Sequence, residues 1–424
     1  MSNELVILLL VIVTALAFDF TNGFHDTGNA MATSIATGAL KPKTAVALSA
    51  ILNLVGAFLS VSVALTVTNS VIKIQQSSGS SQGAPVDSMV ADHGHALLII
   101  VFAGLIGGIV WNLLTWLLGL PSSSSHALFG GLIGSAIAAL GMSGVVWNGD
   151  GKLDGVVGKV ILPALISPFI AGIVAGIGTW LVYKLVAGVA TKFTEQGFRW
   201  GQIGTSSLLS LAHGTNDAQK TMGVITLAVI AYSWDDKSAS GPFAWHDLHG
   251  IPLWVKVACA CAIALGTYVG GWRVIRTLGK GLVEISPPQG MSAEAASATV
   301  VLASTGMGFA LSTTHVATGS ILGSGVGKPG ASVRWRVAAR LVAAWVVTLP
   351  AAAVVGAIMW EIGDRIPDAG PYVMFAILLA LAGYMYWRAQ QQPVDATNVN
   401  DDWDDKSAPA PPADSRALDE KEAV

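Results

Sequence analysis

The chain has 424 residues, of which 53% are hydrophobic and only 12% are charged, with a net charge of -3. Soluble domains carry about 25% charged residues, so this composition excludes a soluble globular protein. The apolar runs are also longer than the alternating strands of roughly 10 residues that build membrane barrels, which predicts an all-α protein that crosses the membrane many times.

Apolar segments follow one another along the whole chain. The first has no basic stretch before it, so it is predicted to be a retained span rather than a cleaved signal peptide. After the last segment, nine acids against three bases predict a disordered acidic tail. The eleven predicted segments are 5–24, 44–67, 96–118, 123–141, 158–186, 204–233, 252–275, 293–311, 313–326, 336–360 and 371–388.

Basic residues gather in alternating loops, those that follow segments one, five, seven and nine. Because short cytoplasmic loops carry an excess of Lys and Arg, these loops are predicted to be cytoplasmic. The N-terminus is then outside the cell membrane and the C-terminal tail is in the cytoplasm. The residues concerned are Lys41, Lys43, Lys184, Lys192, Arg199, Arg273, Arg276, Lys280, Lys328, Arg334 and Arg336.

Two polar motifs occur twice within the apolar sequence. Residues 22–31 align without gaps with 213–222, so that Asp26 meets Asp217, and a hydroxyl-rich box at 121–126 has a counterpart at 311–315. The copies lie in segments one and six, five membrane crossings apart, so the halves run in opposite directions, as in an inverted-topology repeat with broken or re-entrant helices at its site. The predicted divisions are 1–186 (first repeat), 187–203 (cytoplasmic linker), 204–360 (second repeat), 361–388 (final helix) and 389–424 (tail).

The hydroxyl boxes predict an anion site. A run of serines after Pro121 suits the start of a short helix, where free N–H groups and the helix dipole favour an anion. Simple helix capping is the alternative reading, and the duplication of the box favours binding. The predicted anion-binding residues of the boxes are Ser122, Ser123, Ser124, Ser125, Ser312, Thr313 and Thr314.

The acids of the motifs predict cation or proton coupling, because an anion cannot dwell in a membrane without compensating charge. Asp26 and Asp217 are the candidates, with Lys220 either a partner of Asp217 or a contact of the anion. Asp19 could be a further site residue or a structural partner, and the sequence does not decide between these two roles. The other polar candidates are Asn29, Gln219 and Asn216, which could serve either ion, and His25, His126, His213 and His315, which could carry protons or only donate structural hydrogen bonds.

These stretches, together with Gly-Met-Ser-Ala-Glu at 290–294, resemble the inorganic phosphate transporter (Pit) family, in particular its bacterial low-affinity branch. The resemblance implies uptake of inorganic phosphate by symport with protons or sodium, with phosphate complexed to a divalent metal such as Mg²⁺. It also implies an inverted repeat and a homodimer. Asp26 and Asp217 match the family's coupling acids, the boxes match its substrate-lining stretches, and Glu294 matches an acid tied to phosphate transport.

In sodium-coupled relatives, Glu294 has an acidic counterpart in the first half, and that position is taken here to be Asn53. This departure favours protons as the coupling ion, with sodium as the alternative. A sulfate transporter on the same scaffold is a second alternative. An intramembrane hydrolase using Ser123 or Ser125 with His126 is disfavoured by the duplicated box, and a passive channel by the paired carboxylates. No catalytic residue, cofactor, resident metal or nucleic-acid partner is predicted.

Overall fold

The computed structural model describes residues 2–70, 72, 87–148, 155–189, 191–234, 241–248, 250–366 and 368–401. Within these residues the chain is helical and forms no β-strand beyond two isolated bridges. The helices are α1 (Asn3–Ala36), α2 (Pro42–Gly56), α3 (Ser62–Ser70), α4 (Asp87–Leu117), α5 (Ser124–Leu140), α6 (Leu162–Leu185), α7 (Thr191–Ser233), α8 (Leu253–Val269), α9 (Trp272–Arg276), α10 (Pro287–Gly306), α11 (Thr313–Gly327), α12 (Trp335–Arg365) and α13 (Gly370–Gln390).

Five of the described helices are long and apolar enough to cross a membrane, and a sixth span results if α8 and the segment Trp272–Gly281 are counted together. This confirms the predicted all-α, multi-pass class. Two predicted segments are not single helices. Segment 44–67 divides into α2 and α3, and segment 252–275 bends by 60° after Val269.

The two repeated motifs lie inside long, unbroken helices, α1 and α7. The chain breaks instead at the hydroxyl boxes, between α4 and α5 and between α10 and α11. The prediction of broken helices at the site therefore applies to the boxes, whose short helices α5 and α11 begin there. The acids are carried on continuous helices that pass beside them.

The two halves of the chain pack on each other reciprocally. Helix α1 packs against α8 as α7 packs against α2, and α5 packs against α12 as α11 packs against α6. Helices α1 and α7 are antiparallel, because Thr37 contacts Gln202 while Asp26 lies beside His213 and Asp217. An inverted repeat requires this relation, and the repeat itself stays a prediction that the packing supports.

Two predicted boundaries fall differently in the structure. Helix α7 begins at Thr191, inside the range predicted as a linker. The first residues of the predicted tail pack on the protein: Val399 is buried, and Asn400 Nδ2 donates to the carbonyl of Ile35 over 3.1 Å. The rest of the predicted disordered tail, residues 402–424, lies outside the described residues.

Candidate functional site

Helices α5 and α11 begin in the same way. Ser123 and Ser312 are extended residues, with φ/ψ of -88°/108° and -85°/105°. Each side-chain oxygen accepts the backbone N–H three residues later, from His126 over 3.1 Å and from His315 over 3.2 Å. A serine cap of this kind satisfies one of the free N–H groups of a first helical turn. The duplicated boxes therefore form two equivalent helix N-termini.

Each motif acid contacts the first helical residue of the box in its own half. Ser124 Oγ donates to Asp26 Oδ1 over 3.1 Å, and Thr313 Oγ1 donates to Asp217 Oδ2 over 3.0 Å. The acids are held by α1 and α7, and the hydroxyls by α5 and α11. Four helices from both halves thus meet at one place.

The next box residue in each half reaches across to the other half. Asn29 Nδ2 donates to Thr314 Oγ1 over 3.0 Å, and Lys220 Nζ donates to Ser125 Oγ over 2.5 Å. Asn29 and Lys220 occupy the same position of the two motifs, three residues after the acid. The contacts are therefore equivalent, but the second half carries a positive charge where the first half carries an amide. Lys220 also donates to Asp217 Oδ1 and forms an ion pair with it.

Histidines complete the surroundings of both acids. His25 Nδ1 lies 2.6 Å from Asp26 Oδ1, and His213 Nε2 lies 2.8 Å from Asp217 Oδ2. Ligand atoms of Asp26, His213 and Asp217 all lie within 4.8 Å of one another. Two carboxylates and an imidazole at this spacing could share a proton or hold a small cation, since oxygen and nitrogen are common cation ligands.

This cluster is closed to solvent. Its side chains from Asn29, Asp26, Asp217 and Lys220 are at most 6% exposed, and the box hydroxyls are equally buried. A ligand can therefore reach the cluster only if the helices around it move. Such an arrangement is typical of alternating access around a central site.

Several predicted site residues have their side chains engaged in other contacts. Gln219 Oε1 accepts the backbone N–H of Val63 over 2.8 Å and so caps α3. Asn216 Nδ2 donates to Thr305 over 2.8 Å, and Ser122 Oγ donates to Thr115 over 2.7 Å. The side chains of these three predicted ligands therefore make structural contacts. The backbone carbonyl of Ser122 also accepts a hydrogen bond from Thr314 Oγ1.

Glu294 lies in a separate buried cage. Its carboxylate accepts hydrogen bonds from Thr33 (2.5 Å), Ser34 (2.6 Å), Gln202 (3.2 Å) and Thr205 (2.8 Å). Thr33 lies two helical turns beyond Asp26 on α1, about 10 Å along the helix axis. The four donors come from α1 and α7, and the sequence analysis missed them. The sequence did contain one indication of this cage, because Gln202 and Thr205 are polar residues three positions apart within an apolar segment.

Asn53 supports the cluster from α2. Its Oδ1 lies 3.2 Å from His213 Nδ1, and its Nδ2 donates to Thr267 over 2.8 Å. Helix α2 packs on α7 as α8 packs on α1, so α8 is the second-half counterpart of α2. Glu294 is on α10 instead. Asn53 and Glu294 therefore do not lie at equivalent positions of the two halves, and the argument from Asn53 against sodium loses its geometric basis.

A cavity of about 1050 Å³ opens between α6, α11 and α12. Most of its lining side chains are apolar, such as Phe169 and Val346, and His126 and His315, whose ring centroids are 4.9 Å apart, also line it. An apolar cavity does not suit a strongly hydrated anion. The buried polar cluster, rather than this cavity, has the chemistry of an ion site.

Comparison with known proteins identifies relatives over most of the chain. A model of the phosphate transporter family (PHO4) matches residues 22–356. A Mycobacterium bovis protein named probable low-affinity inorganic phosphate transporter is 58% identical over 405 residues, which is 95% of this chain and 89% of that protein. A Bacillus subtilis protein of the same name is 39% identical over 362 residues, 85% of this chain and 98% of that protein.

Among solved structures, one titled the sodium-dependent phosphate transporter superposes with a TM-score of 0.70. It covers 85% of this chain and all of that chain, at 20% sequence identity. At this identity the likeness concerns the fold, and it agrees with the all-α membrane architecture described above.

Proposed function

Because the chain belongs to the phosphate transporter family, and is a transporter rather than an enzyme, we propose that it imports inorganic phosphate by symport with protons. The single observation that carries the proposed site is the convergence of two hydroxyl-capped helix N-termini on two buried aspartates. In this proposal phosphate binds between α5 and α11, and the coupling ion binds within the cluster that Asp26 and Asp217 form.

The anion is bound by the first turns of α5 and α11. Free N–H groups at a helix N-terminus attract phosphate, and hydroxyls add donors without a fixed charge. Ser124, Ser125, Thr313 and Thr314 supply those hydroxyls, and each now contacts a side chain or carbonyl of the cluster. Phosphate would replace those contacts when the helices part.

The charges of the cluster favour transport of phosphate as a neutral complex with a divalent metal, together with one proton. Asp26 and Asp217 carry two negative charges and Lys220 one positive charge, so the cluster has one excess negative charge when its histidines are neutral. Burying uncompensated charge in the membrane is costly. A divalent metal paired with hydrogen phosphate is neutral, and one proton then cancels the excess. Free hydrogen phosphate would add two further negative charges.

Lys220 also favours a single mobile cation. In the first half Asp26 has an amide, Asn29, at the equivalent position, and in the second half Asp217 has the Lys220 ammonium. The ammonium stabilises Asp217 permanently. The exchangeable positive charge is therefore proposed to bind at Asp26, with His25 and His213 beside it.

The topology and assembly are proposed on the grounds of the sequence. We place the protein in the cell membrane with its N-terminus outside and its C-terminus in the cytoplasm, the orientation that the basic residues of alternating loops favour. The homodimer is proposed from the family resemblance alone.

The test is labelled-phosphate uptake into proteoliposomes, with a proton gradient and a sodium gradient imposed separately, with and without Mg²⁺. Uptake driven by protons alone and raised by Mg²⁺ is expected. Uptake driven only by sodium would reject protons as the coupling ion. If labelled sulfate were accumulated in the same assay and phosphate were not, phosphate would be rejected as the substrate.

The proposed coupling residues are tested in the same assay. Asp26→Asn and Asp217→Asn should abolish gradient-driven uptake, because each removes a charge on which the balance depends. Amounts of folded protein in the membrane, measured by size-exclusion chromatography of the extracted variants, are the control. Unchanged transport in both variants would remove these acids from the mechanism.

A further inference from the structure

One buried acid has no part in the site described so far. Asp19 lies in the middle of α1, two turns before Asp26, and is 0% exposed. Among the described residues, neither of its carboxylate oxygens has a hydrogen-bond partner. The other three buried acids of the described residues differ: Asp26 is bound by Ser124 and His25, Asp217 by Lys220, and Glu294 by four donors.

Among the residues that the structure describes, the groups facing Asp19 are polar, and the one positive charge among them is already paired. Thr221 and Cys259 face its carboxylate, from α7 and α8, without reaching hydrogen-bonding geometry. The charged groups that face it are Asp217 and Lys220 of α7, and Lys220 is already bound to Asp217 and Ser125. Among the described residues, Cys259 is the titratable group of α8 that faces Asp19, and none from α4 does.

Further polar groups without partners lie beside Asp19. Asn22 is one turn along the same face of α1. The register of α1 against α4 is set by Phe18 at Gly108 and by His25 at Thr115, the second pair 90 residues apart. The same offset places Asn22 at the level of Asn112. The side-chain oxygen of Asn22, both polar atoms of the Asn112 side-chain amide and the Thr221 hydroxyl have no hydrogen-bond partner among the described residues.

We propose that Asp19 is a second proton-binding site of this transporter, and that it exchanges its proton with the Asp26–Asp217 cluster during the transport cycle. A carboxylate in the membrane interior that no cation compensates is stabilised by binding a proton, which removes the buried charge. Asp19, Asn22 and Asp26 follow one another on α1 at spacings of three and four residues, which places them on one face of the helix. In this proposal the proton passes along that face, beside Asn22.

This inference rests on the proposed proton symport and adds a residue to it. The step is a proton transfer alone: the O–H bond of the Asp19 carboxylic acid breaks, and the proton passes to a carboxylate or imidazole of the cluster. The reverse transfer reloads Asp19. No other bond changes and no oxidant or reductant is involved.

The transport test compares Asp19→Asn with the wild type in proteoliposomes, with the membrane potential held at zero. For one proton per phosphate, a gradient of one pH unit supports about tenfold accumulation. In Asp19→Asn the ratio of internal to external phosphate should stay near one, while the variant still exchanges internal for external phosphate. Asp19→Glu should restore accumulation. Thr14→Val, which removes another buried hydroxyl without a partner on α1, should behave as the wild type.

Infrared spectroscopy reads the proton directly and does not depend on transport. The wild type should show the carbonyl-stretch band of a protonated carboxylic acid, and this band should be absent in Asp19→Asn and shifted in Asp19→Glu. If Asp19→Asn does not fold, the shift in Asp19→Glu still assigns the band. The same spectrum from wild type and variants would overturn the inference.

The outcomes separate this inference from the proposed function. A wild type that does not respond to the pH gradient would reject proton symport itself. A responsive wild type with an equally responsive Asp19→Asn would reject only the role of Asp19. Loss of phosphate exchange along with accumulation in Asp19→Asn would also reject it, because Asp19 would then be needed for the structure of the site.

Discussion

The ion pair between Lys220 and Asp217 should dominate the local stability of the cluster. Both side chains are 1% exposed, and Lys220 Nζ also donates to Ser125 Oγ over 2.5 Å and to the Leu311 carbonyl over 3.0 Å. Lys220→Met would keep most of the side-chain volume. It would leave the Asp217 carboxylate buried without its cation.

The magnitude follows from this burial. Removing one partner of a buried ion pair costs about 3–5 kcal/mol, because the remaining charge is left uncompensated. Removing both charges, in Asp217→Asn with Lys220→Met, should cost much less than the two single changes together. The coupling energy between the two positions should be about 2 kcal/mol or more.

The assay is the free energy of unfolding of the purified protein in detergent, measured for both single variants and the double variant. Arg365 and Glu361 offer a matched control, since they form an ion pair of 2.6 Å on the surface, with side chains 75% and 43% exposed. The surface pair should show a coupling energy below about 0.5 kcal/mol. Additive effects at Lys220 and Asp217 would refute the reasoning that the buried pair acts as one unit.

Three further predictions concern the elements around the site. Glu294→Gln should lower the free energy of unfolding by about 1–3 kcal/mol, because an amide N–H₂ would face hydroxyl groups that now donate to a carboxylate; a thermal melt checks this, and an unchanged melt would contradict it. Ser123→Ala and Ser312→Ala should each cost about 1 kcal/mol through loss of a helix cap, with equal losses expected from the equivalent geometry. Gly266→Ala should cost about 1–3 kcal/mol, because its Cβ would meet a backbone carbonyl of α1, whereas Gly188→Ala, with open space around it, should be neutral.

Local composition predicted the helical class and the two convergent boxes. The repeat in sequence placed Asp26 with Asp217 and Ser124 with Thr313, and the structure brings all four together. This worked because duplicated polar residues in an apolar sequence must face a common interior. The boxes also carry their own start signal, a serine three residues before a histidine whose N–H it accepts.

What depends on distant contacts was not predicted. The start of α3 is capped by Gln219, from the other half of the chain, so nothing near residue 63 indicated that segment two would divide. The cage of Glu294 is formed by Thr33 and Thr205, which are remote in sequence. Roles given to Gln219 and Asn216 as ligands rested on composition, which does not distinguish a ligand from a contact between helices.

The most direct test of the account is a structure of the protein with arsenate, a phosphate analogue whose arsenic atom can be located by anomalous scattering. The account predicts one arsenic position between the N-termini of α5 and α11. Its oxygens should lie about 2.7–3.2 Å from hydroxyls of Ser124, Ser125, Thr313 or Thr314. Arsenic beside Glu294, with none between these helices, would contradict it.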